Sequence, residues 1–418
     1  MRQSSVAAPY GLPAAERMRV VVVSDWFSET MGYSENFLPK ALAAQGAEVH
    51  VVTSDVQTYF DSPLYAETYE PFLGPGVVSC GVKLLDGYTL HRLPHARRRG
   101  RLRIKGLLRY VRTLRPDVVQ TFDTHCPSTN ELTLAKPFLG YRLFHESSLH
   151  ASVFPPATRQ LAVSERAKWF TYASTMGRLV SAVAERCYPV SSDAADIVVR
   201  FFGFQPGKIR ICSLGVDTDL FVPPDTPDLL NERERVRHEL GFSPDDVVCV
   251  YSGRFSTDKG PIVLANAVDR LADAGSAARG LFVGSGSEEA VQAIKACRGC
   301  VVHEFVPVRD LPRYYRAADI GVWPKQESTS QLDAAACGLP LILSDRVAVR
   351  ERVDGNGLVY AEGDAGDLAK QVSLLLDSAL RQEMGRRSAE KVRENFSWAR
   401  IARERLDDYE AALARQRG

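Results

Sequence analysis

Two stretches in the second half of the chain decide the fold: YSGRFSTDKG at residues 251–260 and ESTSQLDAAACGLP at residues 327–340. The first continues an apolar run that begins at Val247, and its glycines flank two cations, Arg254 and Lys259. An apolar strand, a glycine turn and a helix start make up a parallel α/β unit. Because open parallel sheets bind ligands at the carboxyl ends of their strands, this turn predicts a ligand site.

The same alternation of short apolar runs and helical segments extends over the rest of the chain. It starts at Arg19–Ser24, which is followed by a glycine-bearing loop, a helical segment from Ser34 and a strand at Glu48–Thr53. In the second half, further predicted strands lie at 280–286, 301–305, 320–323 and 341–344. Strands that alternate with helices predict mostly parallel, doubly wound sheets.

The length of 418 residues exceeds one ordinary hydrophobic core and predicts two globular domains. A polar, proline-rich segment at 219–227 has the composition of a linker, so we place the domain boundary at residue 223. The predicted parts are a flexible extension over 1–17, a first domain over 18–222, a second domain over 223–395 and a C-terminal helix over 396–418.

The overall charge argues against a nucleic-acid partner. Lys and Arg number 52 and Asp and Glu number 51, which leaves a formal net charge of +1. No run is long and apolar enough for a membrane span or a secretory signal, so we expect a cytoplasmic protein with reduced cysteines. Cys297 and Cys300 have CxxC spacing, but no second ligand pair accompanies them and no metal site is expected.

One tract is strongly basic. Nine cations lie between Arg97 and Arg115 without an intervening acid. Such a run is either a solvated helix face or a contact for a polyanion or an anionic membrane surface, and both interpretations stay open. The preceding loop, 56–87, is rich in Tyr, Pro and Gly, and loops of that length are often functional or mobile.

The cations of the first quoted stretch predict a diphosphate site. Arg254, Lys259 and the free amides of the following helix can converge on one anion. The residue order is not that of a P-loop, which makes an ATPase or GTPase improbable. A second glycine turn, Gly284 and Gly286, follows the next predicted strand and is expected to shape the same cleft.

Two acids in the second quoted stretch are candidate ligands for hydroxyl groups. Asp333 is predicted at the start of a helix, where a carboxylate can accept hydrogen bonds from a ribose diol. Glu327, on the preceding loop, can bind the hydroxyls of a sugar. The alternative interpretation is that both acids are helix caps.

The first half of the chain adds candidates at the opposite side of the cleft. Gly32 and Tyr33 lie in the turn after the first predicted strand, where Gly32 allows close approach of the backbone to a ligand or serves a tight turn only. His145 ends the predicted strand Tyr141–Glu146, and His150 lies just beyond it. Position alone does not separate a catalytic histidine from a packed one.

In this order, the motifs resemble the retaining glycosyltransferases of family 4, and the resemblance extends from Met18 to about residue 410. Its parts are the loop around Gly32, LGVDTDLF at 214–221, Gly253-Arg254 with Lys259-Gly260, FVGSG at 282–286, DAAACGLP at 333–340, NGLV at 356–359 and FSW at 396–398. The resemblance implies the GT-B fold, in which an acceptor-side and a donor-side Rossmann-like domain face each other across a cleft. It also implies that the C-terminal helix crosses back to the first domain.

The resemblance assigns roles to individual residues. Arg254 and Lys259 would hold the donor diphosphate, His145 would reach the donor sugar, and Asp333 would bind the ribose. The implied catalytic residues are Arg254, Lys259, His145 and Glu327. The implied substrate-binding residues are Gly32, Tyr33, Gly253, Gly284, Gly286, Glu304, Phe305, Ser328, Ser330 and Asp333, with Glu304 and Phe305 presenting backbone groups to the base.

The acidic motif departs from the family pattern. The family typically has two glutamates with seven residues between them, whereas Asp333 stands at the second position and Lys325 at the ungapped first position. Glu327 can replace the first glutamate only if the loop is two residues shorter. Whether Glu327 or Lys325 takes that place stays open.

The expected reaction moves a sugar from a UDP- or GDP-linked donor to an acceptor hydroxyl with retention, without cofactor or metal. The acceptor is a lipid-linked glycan or a small-molecule glycoside, and peripheral contact with an anionic membrane runs through Arg97–Arg115. Two alternatives are a non-catalytic nucleotide-sugar or glycan binder and an epimerase of the same fold.

Overall fold

Two largely parallel β-sheets organise the chain in the computed structural model, which describes residues 17–63, 65–98, 100–150, 154–347 and 350–417. The strands are β1 Arg19–Ser24, β2 Glu48–Ser54, β3 Gly81–Leu85, β4 Tyr88–Leu93, β5 His95–Arg98, β6 Arg101–Ile104, β7 Val118–Phe122, β8 Arg142–Ser147, β9 Arg186–Pro189, β10 Val247–Phe255, β11 Ala278–Gly286, β12 Cys300–His303, β13 Ile320–Trp323, β14 Leu341–Ser344 and β15 Gly357–Tyr360.

The helices connect successive strands and cover both faces of the sheets. They are α1 Ser34–Ala44, α2 Glu70–Leu73, α3 Leu107–Leu114, α4 Pro127–Leu139, α5 Val163–Tyr172, α6 Arg178–Val183, α7 Ser192–Phe202, α8 Pro227–Glu239, α9 Pro261–Asp273, α10 Glu288–Lys295, α11 Leu311–Ala317, α12 Thr329–Ala336, α13 Ala365–Leu374, α14 Ser378–Asn395 and α15 Trp398–Arg417. Among the described residues, no helix has the length and apolar character needed to cross a bilayer.

The first sheet has the strand order β3-β4-β2-β1-β7-β8-β9, and only β3 is antiparallel to its neighbour. Its central strand β1 is buried on both faces, as its unbroken valine run predicts. Val20 and Val22 pack under α1 and α15, whereas Val21 and Val23 pack under α3 and α4. The helices therefore form two layers, one on each side of this sheet.

The second sheet has the order β12-β11-β10-β13-β14-β15, and every pair in it is parallel. In each sheet the strand order runs outward in both directions from a central strand, β1 in the first sheet and β10 in the second. This is the order of doubly wound sheets. The predicted fold class is thereby confirmed. Both sheets place the carboxyl ends of their central strands where ligands bind in such folds.

The chain passes between the two sheets twice, along paths that lie side by side. The Val216 N–H donates to the Phe396 carbonyl at 2.7 Å, and the Trp398 N–H donates to the Val216 carbonyl at 2.9 Å. Gly215 allows this approach, because a Cβ there would lie 2.7 Å from the Trp398 ring. After this crossing, α15 packs against α1 and the first sheet.

The structure adds two local features that short sequence patterns do not show. The segment 209–217 bridges Cys187 at Ile209 and Ser397 at Val216, because it leaves the first sheet towards the crossing at Val216. The loop 56–87 contains α2 and the edge strand β3, whose residues are almost all exposed and therefore give no buried apolar signal. The predicted extension lies outside the described residues, except for Arg17.

Candidate active site

The two glycine turns of the second domain lie side by side. In the parallel register Gly253 pairs with Gly284, and both have left-handed φ values, +143° and +151°. A Cβ at Gly284 would lie 2.0 Å from the Gly253 carbonyl oxygen, so only glycine fits there. The expectation that both turns shape one cleft agrees with this geometry. Gly253 and Gly286 are exposed, whereas Gly284 is buried.

Arg254 and Lys259 flank the start of α9. Arg254 is exposed at the end of β10, and Lys259 is half-buried just before Gly260, whose left-handed backbone precedes the helix. Burial, and then the charge of Arg254, lowers the pKa of Lys259. The two cations are therefore close enough for their charges to interact at the start of α9, which is an anion-binding arrangement. The helix itself adds few free amides there, because Pro261 has no N–H and the Val263 N–H donates to the Gly260 carbonyl at 3.0 Å.

Lys325 adds a third cation to this turn, and sequence reasoning had not assigned it that role. Its Nζ donates to the Thr257 carbonyl at 3.2 Å. Its alkyl chain runs over Gly260, where a Cβ would lie 3.1 Å from Lys325 Cδ. Lys325 therefore lies against the predicted phosphate turn and adds positive charge there.

The backbone at Glu327 forms a tight turn that the buried side chain of Arg352 stabilises. Sequence reasoning did not identify Arg352. The Lys259 ammonium donates to the Glu327 carbonyl at 3.2 Å. Arg352 Nη1 donates to the Ser328 carbonyl at 2.9 Å and to Gln331 Oε1 at 2.7 Å. Ser328 and Ser330 share a hydroxyl hydrogen bond of 2.6 Å. The turn is therefore positioned by buried hydrogen bonds and not by its own sequence alone.

Asp333 does not stand at the start of its helix, which corrects the sequence prediction. The helix begins at Thr329 with Ser328 as its N-cap, because the polar 327–331 segment already turns helically. Asp333 thus lies in the second turn, beyond the strongest influence of the helix dipole. Burial, and then the charge of Asp217, raises the pKa of Asp333 to about 8.

The glycine loop of the first domain meets the second domain. A Cβ at Gly32 would lie 2.8 Å from Val308 Cγ2, so the glycine permits this close approach. Tyr33 Oη lies 2.6 Å from Tyr59 Oη. Burial raises the pKa of the Tyr59 phenol, and the nearby charge of Arg254 acts in the opposite direction. The tyrosine pair therefore borders the predicted phosphate site.

A pair of phenylalanines also joins the two domains. Phe72, in α2 within the loop 56–87, stacks on Phe305 with ring centroids 3.8 Å apart and an interplanar angle of 23°. Phe305 follows β12, so the Glu304–Phe305 segment lies at a carboxyl strand end as predicted for base recognition. Phe72 was not singled out from sequence, because nothing in a long loop specifies its partner across a cleft.

His145 is fully buried and points away from solvent. Its Nδ1 lies 2.6 Å from Thr121 Oγ1, while Nε2 has no hydrogen-bond partner among the described residues. Burial lowers the pKa of His145 to about 3, so the imidazole is neutral. Contact with a donor sugar would need a rearrangement of this strand end. By contrast, the charges of Glu327 and Lys259 both act on the half-buried His150, whose pKa burial lowers.

Buried oxygens cluster at the carboxyl end of the first sheet. Asp25 follows β1, Asp123 follows β7 and Ser147 ends β8, and each carries a buried side-chain oxygen. Ser128 and Cys126 lie beside the Asp25 carboxylate, and Ser147 lies beside that of Asp123. Burial raises the pKa of Asp25 to about 6 and that of Asp123 to about 7. Groups of this kind suit a ligand with several hydroxyls, and sequence periodicity gave no signal for them.

Two family models match this chain. A model described as Glycosyltransferase Family 4 matches residues 38–220, and one described as Glycosyl transferases group 1 matches residues 246–378. A D-inositol 3-phosphate glycosyltransferase of Xylanimonas cellulosilytica is 30% identical over 251 residues, which are 57% of this chain and 59% of that protein. The aligned region spans just over half the length of such curated relatives.

Solved structures share the fold at low sequence identity. Sucrose-phosphate synthase from Thermosynechococcus elongatus is 20% identical, with a TM-score of 0.65 over 95% of this chain and 100% of that chain. Anabaena HepE, solved with UDP, is 13% identical, with a TM-score of 0.67 over 94% and 100%. These likenesses give the GT-B fold. The two family models, which between them match residues 38–220 and 246–378, show that the chain belongs to glycosyltransferase family 4.

Proposed function

We propose that this protein transfers a sugar from a nucleoside diphosphate sugar to an acceptor hydroxyl with retention of configuration. The observation that carries the proposal is the convergence of Arg254, Lys259 and the α9 N-terminus beside the paired glycine turns. A diphosphate leaving group gains negative charge as the glycosidic bond breaks, and preorganised cations stabilise that charge most effectively. UDP in the HepE structure supports a uridine donor as the first choice to test.

The proposed step needs no reactant other than the sugar donor and the acceptor. The bond from the anomeric carbon to the phosphate oxygen breaks while the acceptor oxygen attacks from the same face of the sugar. The acceptor proton passes to the departing phosphate oxygen. The three cations Arg254, Lys259 and Lys325 supply the positive charge at the diphosphate, so we propose a reaction that needs no metal ion.

The acceptor that we propose is rich in hydroxyl groups. The buried polar side chains of Asp25, Asp123 and Ser147 lie at the carboxyl edge of the first sheet and can hydrogen-bond such groups. Both a small-molecule glycoside and the glycan of a lipid-linked acceptor meet this requirement.

The test is incubation of the protein with a panel of radiolabelled UDP- and GDP-sugars, with and without candidate acceptors and with EDTA. The expected result is slow release of free sugar from one donor, and faster appearance of a product with the same anomeric configuration as that donor when the right acceptor is present. A binder would leave the donor intact, and an epimerase would return an altered sugar still attached to its nucleotide. An inverted product, or activity abolished by EDTA, would overturn the proposed mechanism.

Donor affinity is expected to rise with pH through the titration of Asp333. A ribose diol donates hydrogen bonds to the ionised carboxylate, and with a pKa of about 8 that form is a minority at neutral pH. From pH 6.5 to 8.5 the affinity for the nucleoside diphosphate should therefore increase roughly tenfold. Calorimetry measures it, and the Asp333→Asn variant provides the control because its pH profile should be nearly flat. An unchanged slope in that variant would remove Asp333 from ribose binding.

A further inference from the structure

One face of the first sheet carries a layer formed by α3, α4 and α6, with α5 beside them. Leu107, Val111 and Leu132 anchor α3 and α4 in the same core. Lys136 Nζ donates to the Val183 carbonyl at 2.6 Å, which ties α4 to α6. Tyr172 Oη donates to Asn130 Oδ1 at 3.1 Å, which ties α5 to α4. These helices therefore present one connected outer surface.

This outer surface is unusually apolar for a solvated helix layer. Phe138 is 87% exposed, Val163 82%, Phe170 75% and Leu134 56%. Leu134 and Phe138 lie one turn apart on α4, so their side chains share one stripe. Outward helix faces are normally polar, and a concentration of large exposed apolar side chains marks an interaction site.

The basic tract borders the same surface. It forms the hairpin β5–β6 and then α3, and its member Arg99 lies outside the described residues. Arg97 and Arg103 are neutralised by Asp61 and Glu131. Within the described part of the chain, six further exposed cations of the tract have no carboxylate at ion-pair distance: Arg98, Arg101, Lys105, Arg109, Arg112 and Arg115.

We propose that the outer surface of α3, α4, α5 and α6 docks on an anionic lipid bilayer. Leu134, Phe138 and Phe170 would enter the boundary between headgroups and acyl chains, and the unpaired cations would meet the lipid phosphates. A nucleic acid would satisfy the cations but leave the apolar side chains in water. The combination of both features therefore favours a membrane.

Docking on this face would bring lipid-borne molecules to the acceptor edge of the first sheet. His125 follows β7 at this edge, and Arg101 lies close enough for its charge to act on that histidine. Burial, and then the charge of Arg101, lowers the pKa of His125 to about 4. The inference goes beyond sugar transfer and stands without it, because it concerns binding to a surface and not turnover.

The experiment is flotation of the full chain with phosphatidylglycerol or phosphatidylcholine vesicles, at about 0.05 M and about 0.5 M salt. The wild type should float with the anionic vesicles only, and less at high salt. Leu134→Glu/Phe138→Glu and Arg109→Glu/Arg112→Glu should each lower the partition coefficient on the order of tenfold or more. Leu84→Glu is the matched control, since Leu84 is 75% exposed on β3, away from the docking surface, and should float like the wild type.

Three outcomes would overturn the proposal. The first is no flotation of the wild type with anionic vesicles. The second is a loss for Leu84→Glu as large as for the α4 variant, with all proteins shown to be folded by circular dichroism. The third is binding of a DNA oligonucleotide that is at least as tight and depends on the arginines but not on Leu134 and Phe138. None of these readouts uses sugar transfer, so a failure here is separable from a failure of the proposed function.

Discussion

Replacing Lys259 by alanine is expected to lower the rate of sugar transfer by about two to three orders of magnitude, and Arg254→Ala should have a similar effect. Both cations lie at the turn before α9, where the leaving diphosphate would gain charge. The half-buried Lys259 ammonium is worth more there than in water, because the surrounding protein excludes solvent. The rate of transfer is measured with the sugar donor that the panel of UDP- and GDP-sugars identifies. Calorimetric titration with the free nucleotide measures the change in affinity.

Lys295→Ala is the matched control, because this exposed lysine lies on α10 of the same domain and takes no part in the site. It should leave both turnover and nucleotide affinity unchanged. The double variant Arg254→Ala/Lys259→Ala should lose less than the product of the single losses, since both cations act on one leaving group. Retention of more than a tenth of the wild-type rate by each single variant would exclude these cations as the main stabilisation of the leaving group.

Sequence reasoning predicted those elements whose signal is local. The valine run of β1 and the apolar start of β10 are buried on both faces of parallel sheets, and nothing but a central strand has that pattern. The glycine turns were also predictable, because a left-handed backbone at Gly253 and Gly284 demands glycine. The phosphate turn and the two sheets therefore follow from short stretches of sequence.

Features that depend on contacts between distant residues were not predictable. Arg352 supports the Glu327 turn from 21 residues beyond Gln331, and Phe72 meets Phe305 across the cleft. The sequence prediction began this helix at Asp333, one turn after its actual start at Thr329. A polar segment such as 327–331 gives no periodic signal for a helix start. The burial of His145 depends on how α4 covers β8, which a single strand pattern does not contain.

The C-terminal helix makes a fully buried ion pair with the first domain. Arg405 of α15 donates from Nη2 to Glu146 Oε2 at 3.0 Å, and the two side chains are 2% and 3% exposed. The Arg405 guanidinium also lies over the Tyr188 ring, 3.2 Å from its centroid. Nearby, Tyr409 Oη donates to Gln120 Oε1 at 2.9 Å. Polar groups of α15 therefore hold it against the carboxyl end of the first sheet.

Arg405→Met is expected to lower the free energy of unfolding by about 3–5 kcal/mol, because it leaves the Glu146 carboxylate buried without a countercharge. Burial already raises the pKa of Glu146, and the charge of Arg405 opposes that rise. Urea unfolding followed by circular dichroism and by Trp fluorescence should show the loss in the transition that includes α15. The double variant Arg405→Met/Glu146→Leu should regain much of the stability, since no buried charge remains.

The loss should also depend on pH in a defined direction. In Arg405→Met the folded-state pKa of Glu146 would rise further above 4.5, the ordinary value that the group has in the unfolded chain. The folded variant then binds the proton more tightly than the unfolded chain, so its stability is greatest at low pH and falls as pH rises towards the folded pKa. Relative to the wild type, the variant should therefore recover on acidification from pH 8 to pH 5, whereas the double variant should not. A deficit that stays constant over this range would mean that lost packing of the Arg405 side chain, and not the unpaired carboxylate, destabilises the helix.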